Sequence, residues 1–66
     1  HALAAVTVIA PEAMAADAMA AALMVLGPDQ GDALARSLEL PAVFTVRTAQ
    51  GYERRSTPAF ERYRAR

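Results

Sequence analysis

The 66-residue chain contains no cysteine, no tryptophan and no lysine, and its single histidine is His1. Without cysteine there is neither a disulfide framework nor a thiolate metal site to reinforce a small core, and nothing reports the redox compartment. The lone histidine stands at the start of the chain, where the ordinary reading is a surface residue rather than a catalytic base. Ser37 and Ser56 lack a G-x-S-x-G setting, which removes the nucleophile elbow. Neither Gly27 nor Gly31 sits in a phosphate-cradling loop of Rossmann or Walker type. The longest apolar run falls short of the ~20 residues of a bilayer span, lacks a basic flank and follows a strand-like stretch, so it reads as neither a membrane helix nor a signal peptide.

What remains is apolar and small. A chain of this length is one domain at most and buries only about 60% of the surface its unfolded form exposes. Yet 55% of its residues are hydrophobic, many of them alanine. So much apolar surface on so thin a core points to a piece that packs against more protein, either a partner subunit or the rest of a longer chain. The charges balance overall but not locally. Residues 1–46 set Arg36 against Glu12, Asp17, Asp29, Asp32 and Glu39, a net −4, whereas Arg47, Arg54, Arg55, Arg62, Arg64 and Arg66 against Glu53 and Glu61 give residues 47–66 a net +4. A basic tail can serve an acidic partner or a nucleic acid. With no recognised nucleic-acid motif, its ordinary reading is a solvated surface and no nucleic-acid partner is expected.

In chain order, the stretch 3–10 (LAAVTVIA) is rich in β-branched residues and almost continuously apolar, which predicts a strand covered on both faces. Pro11 suits the first turn of a helix, with Glu12 complementing its positive end. That helix is expected to run to Leu26, where Gly27 and Pro28 stop it. Met14, Ala18, Ala21 and Val25 fall on one apolar stripe, small residues all round permit close approach, and Met14, Met19 and Met24 suit core filling. A second, half-exposed helix is predicted from Pro28 to Leu40, with Asp29 and Asp32 in its first turn, Leu34 and Leu38 as an apolar pair and Asp32 in reach of Arg36. Pro41 breaks it. Ala42 to Arg47 reads as a strand with Phe44 and Val46 on one side and Val43 and Thr45 on the other. A turn at Gln50 and Gly51 leads into an edge strand from Tyr52 to Ser56. Thr57 before Pro58 reads as an N-cap opening a short helix that buries Phe60 and Tyr63. The order is strand, helix, helix, strand, strand, short helix: an α/β (α+β) unit.

The run 13–26 (AMAADAMAAALMVL) contains one polar residue, Asp17. An unpaired carboxylate among alanines and methionines is costly if buried. Three readings stand open from the residues alone: an acid beside solvent, a partner for one of the tail arginines, or a ligand for a hard cation.

The stretch 6–31, VTVIAPEAMAADAMAAALMVLGPDQG, resembles the C-terminal region of the FAD:protein FMN transferases, the flavin transferases of ApbE type. Val6, Thr7 and Val8 match that family's strand, and Ala16, Asp17 and Ala18 match its acidic motif. Ala22, Leu23, Val25, Leu26, Gly27 and Gly31 follow in register. His1 fits a histidine often found shortly before the strand, and a weaker likeness continues through Phe44 and the following hairpin. The resemblance implies that residues 1–66 form a single C-terminal segment of such a domain. Family members bind FAD and magnesium, and transfer FMN to a threonine of a target flavoprotein with release of AMP. It assigns Asp17 to the Mg2+ and implies export to the periplasmic side of the membrane. The family's second ligand, a threonine four residues after the aspartate, is replaced by Ala21, which offers no oxygen. The family's FAD-binding part and its D-P-x-T-G segment are not in these residues, so the segment alone is expected to be inactive. The alternative is a non-catalytic α/β module, or a degenerate family member, that associates with itself.

Overall fold

The structure, a computed structural model, describes residues 2–10 and 12–65, the side chain of Ala13 excepted. His1 and Pro11, which the sequence tied to the flavin-transferase pattern and to a helix start, lie outside the described residues. Strand β1 (Leu3–Val8) is followed by helix α1 (Ala13–Ser37), strands β2 (Ala42–Thr48) and β3 (Gly51–Ser56), and helix α2 (Pro58–Arg64). The strands form one antiparallel sheet in the order β1-β2-β3. This is the expected α+β unit, in the expected element order.

The two predicted helices are the two arms of α1, joined without a loop. Gly27 alone leaves helical geometry, at φ 86° and ψ 177°, a region essentially closed to residues with a Cβ. Pro28 then starts the second arm, where its missing N–H and fixed φ are no handicap. The bend folds the second arm back onto the first so closely that a Cβ on Gly31 would lie 2.9 Å from the Leu23 carbonyl oxygen and 3.2 Å from Phe44 Cε2. Gly27 and Gly31, spaced G-x-x-x-G, are thus the bend and the contact that closes it. Glu12 sits at the N-cap rather than in the first turn, with extended backbone and no side-chain cap bond.

One face of the sheet carries the core. Leu3, Val8, Ala42, Phe44 and Val46 pack with Leu23 and Ala35 of α1, and Ala16, Met19, Ala20 and Met24 add partly buried surface. A register shift between Leu3 and Ala5 lets two strand residues of opposite parity, Leu3 and Val8, both point inward. Three expectations need correction here. Strand β1 is covered on one face only, since Ala5 and Thr7 are exposed. The stripe Met14, Ala18, Ala21 and Val25 faces away from the sheet, with Met14 85% and Val25 80% exposed. Met14 therefore fills no core, and Met19 and Met24 alone do so. The inward face instead carries Ala16, Met19, Ala20, Leu23 and Met24, and the one polar residue of the arm, Asp17, lies on the outward side.

The ends of α1 and β2 are tied by one hydroxyl. Thr57, fully buried, donates to the Leu40 carbonyl at 2.7 Å and accepts from the backbone N–H groups of Ala42 at 3.1 Å and Phe60 at 3.3 Å. The predicted N-cap thus also clasps the joint between α1 and β2. Phe60 is half-buried, while Tyr63 stays 48% exposed instead of being buried. Just before that joint, α1 ends in a Schellman turn. The Leu40 N–H reaches the Ala35 carbonyl at 2.9 Å and Glu39 N–H the Arg36 carbonyl at 3.1 Å, with Glu39 left-handed at φ 52°. Glycine normally occupies that place because L-residues there are strained. Glu39→Gly is expected to stabilise the chain by about 1 kcal/mol, a Tm rise of about 4–8 °C. A calorimetric Tm that stays level or falls would show that the glutamate side chain offsets its own backbone strain.

Candidate functional site

The first arm of α1 sets the position of Asp17. Ala16, Met19, Ala20, Leu23 and Met24 hold the arm to the sheet, and the alternate side of the cylinder is left outward. On that outward side Asp17 is exposed, flanked one turn back by Met14 and one turn on by Ala21, with exposed Ala18 next to it in sequence. No ion pair among the described residues involves Asp17, so pairing with a tail arginine is not what the structure shows. Of the three open readings, the chain by itself displays the acid beside solvent, on a surface otherwise made of methyl groups and thioethers.

The donor set for a cation is sparse. Among the described residues no group of three His, Cys, Asp or Glu side chains could hold a metal. Ala21, at i+4 on the Asp17 face, contributes only a methyl group. The chain offers a free carboxylate on an accessible face, which fits a hard cation whose remaining oxygens come from diphosphate, water or other parts of a protein. It does not fit a cation held by this chain alone.

Four of the other acids, Asp29, Asp32, Glu53 and Glu61, are engaged elsewhere. Asp32 meets Arg36 at 2.9 Å, as the i, i+4 spacing predicts, while its Oδ1 is buried without a partner. Asp29 lies 3.4 Å from Arg55 of β3, an exposed ion pair between the second arm of α1 and the hairpin that no local pattern announces and that holds little by itself. Arg55 also meets Glu53 at 3.0 Å, and these two carboxylates, Glu53 first, raise its pKa above the ordinary arginine value. Between β3 and α2 runs a groove of about 280 Å³ lined by Val43, Arg54, Ser56, Phe60, Glu61 and Arg64. There the Ser56 hydroxyl donates to Glu61, and Arg64 pairs with it at 2.7 Å. Both hold the Glu61 carboxyl below its usual range, Ser56 more than Arg64.

The signals for the elbow were in the sequence, in the Gly27–Pro28 pair and in Gly31 four residues on. A stop signal alone, however, does not say that the chain resumes as helix at once. No helix is long and apolar enough to cross a membrane among the described residues.

Comparison with known proteins bears on this geometry. The sequence model of the ApbE family matches residues 1–44. The chain is 37% identical over 62 residues to an FAD:protein FMN transferase of Haemophilus influenzae, covering 94% of this chain and 18% of that protein. It is 36% identical over 63 residues to one of Klebsiella pneumoniae, covering 96% of this chain and 18% of the relative. Among solved structures, the apo form of the Pseudomonas stutzeri flavinyl transferase ApbE superposes with a TM-score of 0.91 at 50% identity, over 94% of this chain and 20% of that one. A flavin transferase ApbE from Vibrio cholerae gives a TM-score of 0.90 at 31% identity over the same shares. The chain thus spans about a fifth of the length of these relatives.

Proposed function

This chain belongs to the ApbE family, and from that premise we propose that it forms the C-terminal segment of an FAD:protein FMN transferase, contributing Asp17 to its magnesium site. The observation that carries the reading is the superposition at 50% identity on a flavinyl transferase, over nearly the whole chain. In the proposed reaction a threonine hydroxyl of a target flavoprotein attacks the FMN phosphorus of FAD. The new P–O bond replaces the one to AMP, which leaves, and the hydroxyl proton is lost. Magnesium, when bound, neutralises charge on the diphosphate.

The residues of this chain would do three things. Asp17 presents one carboxylate oxygen pair toward the cation from a helix face with no competing cation. The Gly27 elbow and the Leu23, Met19 and Ala20 contacts fix the arm that carries it. Met14 and Val25, exposed in this chain, supply apolar surface on the same side for the remainder of the enzyme to pack against and keep water out. Ala21 leaves the second place on the helix to water, which weakens the site. Ala21→Thr is therefore expected to tighten magnesium binding by about tenfold, the scale of an added ligand-shell contact. Unchanged affinity in titration calorimetry would favour a second reading, a degenerate member that no longer uses the metal, for which Ala21 is the one specific observation.

The direct test is a chimera in which residues 1–66 replace the matching fifth of the Pseudomonas stutzeri transferase. We expect the chimera to attach FMN to an acceptor flavoprotein with magnesium present and to stop when the metal is chelated. A folded chimera that transfers nothing, with the parent enzyme active alongside, would overturn the reading.

A further inference from the structure

On the face of the sheet turned away from α1, two neighbouring arginines stand without an acidic partner among the described residues. Register places Thr45 opposite Arg54 and Arg47 opposite Tyr52, all on the face that also carries Val43. Helix α2 lies over the Val43 end of that face, where Arg54 lines the groove with Phe60, Glu61 and Arg64, and beyond the groove Arg47 is exposed and Tyr52 67% exposed. Of the other described arginines, Arg36 is answered by Asp32, Arg55 by Glu53 and Asp29, and Arg64 by Glu61, while Arg62 of α2 has no ion pair among the described residues. Arg47 and Arg54 have no ion pair among the described residues. The nearest acid in sequence, Glu53, is sent by strand alternation to the opposite face, and Glu61 is held by Ser56 and Arg64. Two like charges sit as diagonal neighbours, about 7–8 Å apart by strand geometry, where they repel.

We propose that this open sheet face docks an extended acidic segment of a partner protein. On the flavin-transfer reading, on which this identification rests, the partner is the flavin-accepting protein. Alternate residues of an extended peptide are about 6.7 Å apart, close to the spacing of the two diagonal strand positions that carry Arg47 and Arg54, and Tyr52, directly opposite Arg47, adds an exposed aromatic side chain on the same face. Burying these two cations permanently would require carboxylates from outside this chain, whereas a polar contact made in passing leaves them largely hydrated. The apolar outer face of α1 suits permanent packing, and this one suits a visitor. Two arginines are too few for a duplex presenting one charge per about 1.7 Å.

Two measurements test the proposal. In the first, the 66-residue chain is titrated against a fluorescein-labelled decapeptide of alternating glutamate and serine at low salt, followed by anisotropy. We expect saturable binding that weakens at least about tenfold in the Arg47→Glu/Arg54→Glu variant, and less in Arg47→Gln/Arg54→Gln, with circular dichroism unchanged. Equal binding by both variants overturns the docking face, as does tighter binding of a labelled DNA duplex than of the peptide. In the second, the same charge reversal is placed in the chimeric transferase. The KM for the acceptor protein is expected to rise about tenfold with kcat unchanged, and transfer to a short threonine peptide is expected to be unaffected. A parallel fall in kcat and peptide transfer, or an unchanged KM, overturns the identity of the partner. If the unsubstituted chimera modifies neither acceptor, the flavin-transfer reading fails, and the anisotropy result still decides the docking face.

Discussion

Gly27→Ala is expected to lower the unfolding free energy by about 2–3 kcal/mol, because alanine cannot hold φ 86° and ψ 177° without strain. A domain of this size has roughly 3–10 kcal/mol in all. Relief would require the elbow to open, and opening it separates Gly31 from the Leu23 carbonyl and withdraws the second arm from Phe44, the largest fully buried side chain. Gly31→Ala tests the other half of the joint. Its added methyl group would meet backbone at 2.9 Å, an atom that cannot rotate away, so a loss of about 2 kcal/mol remains after the better helix propensity of alanine is counted. Urea titration of both variants checks this. If both midpoints fall within the scatter of surface substitutions, about 0.5 kcal/mol, the bend is not what holds the two arms together.

Asp17→Asn in the chimeric transferase is expected to slow FMN transfer on the order of 100-fold and to raise the magnesium concentration needed for half-maximal rate. Asparagine keeps the shape and one oxygen but removes the charge that draws a hard cation. The fold should be indifferent, since Asp17 is exposed and holds nothing in place. Asp29→Asn removes a charge of the same sign from an exposed position on the second arm and serves as the control, with a rate within about twofold of the parent. Equal rates for the two variants would remove Asp17 from the metal site and return it to an ordinary surface acid.

The elements of this fold were legible because their signals are local and strong. Pro41 ends a helix and frees the next residues for β2. Thr57–Pro58 opens α2 with the hydroxyl on the Phe60 N–H, and the Gln50–Gly51 turn joins β2 to β3. What was not legible depends on contrast or on distance. The first arm of α1 is apolar apart from Asp17, so its periodicity selected a stripe, Met14 to Val25, that turns out to face away from the sheet. Glu39 carries no mark of its left-handed backbone, because composition offers only a residue that normally avoids it. The Asp29–Arg55 tie joins residues 26 apart and appears only once the elbow has brought α1 beside the hairpin. For the site, the motif pointed at Asp17 and the fold shows an accessible, unpaired carboxylate there. Beside it Ala21 offers only a methyl group, and among the described residues no three His, Cys, Asp or Glu side chains gather to hold a metal.

The two margins of the sheet are not alike. Strand β3 ends the sheet with Glu53, Arg54 and Arg55, charges that make strand addition unfavourable along that side, whereas Leu3–Val8 of β1 carries no charge at all. A sheet guarded on one side and bare on the other grows in one direction. A strand added to this sheet meets no charge beside β1 and meets Glu53, Arg54 and Arg55 beside β3.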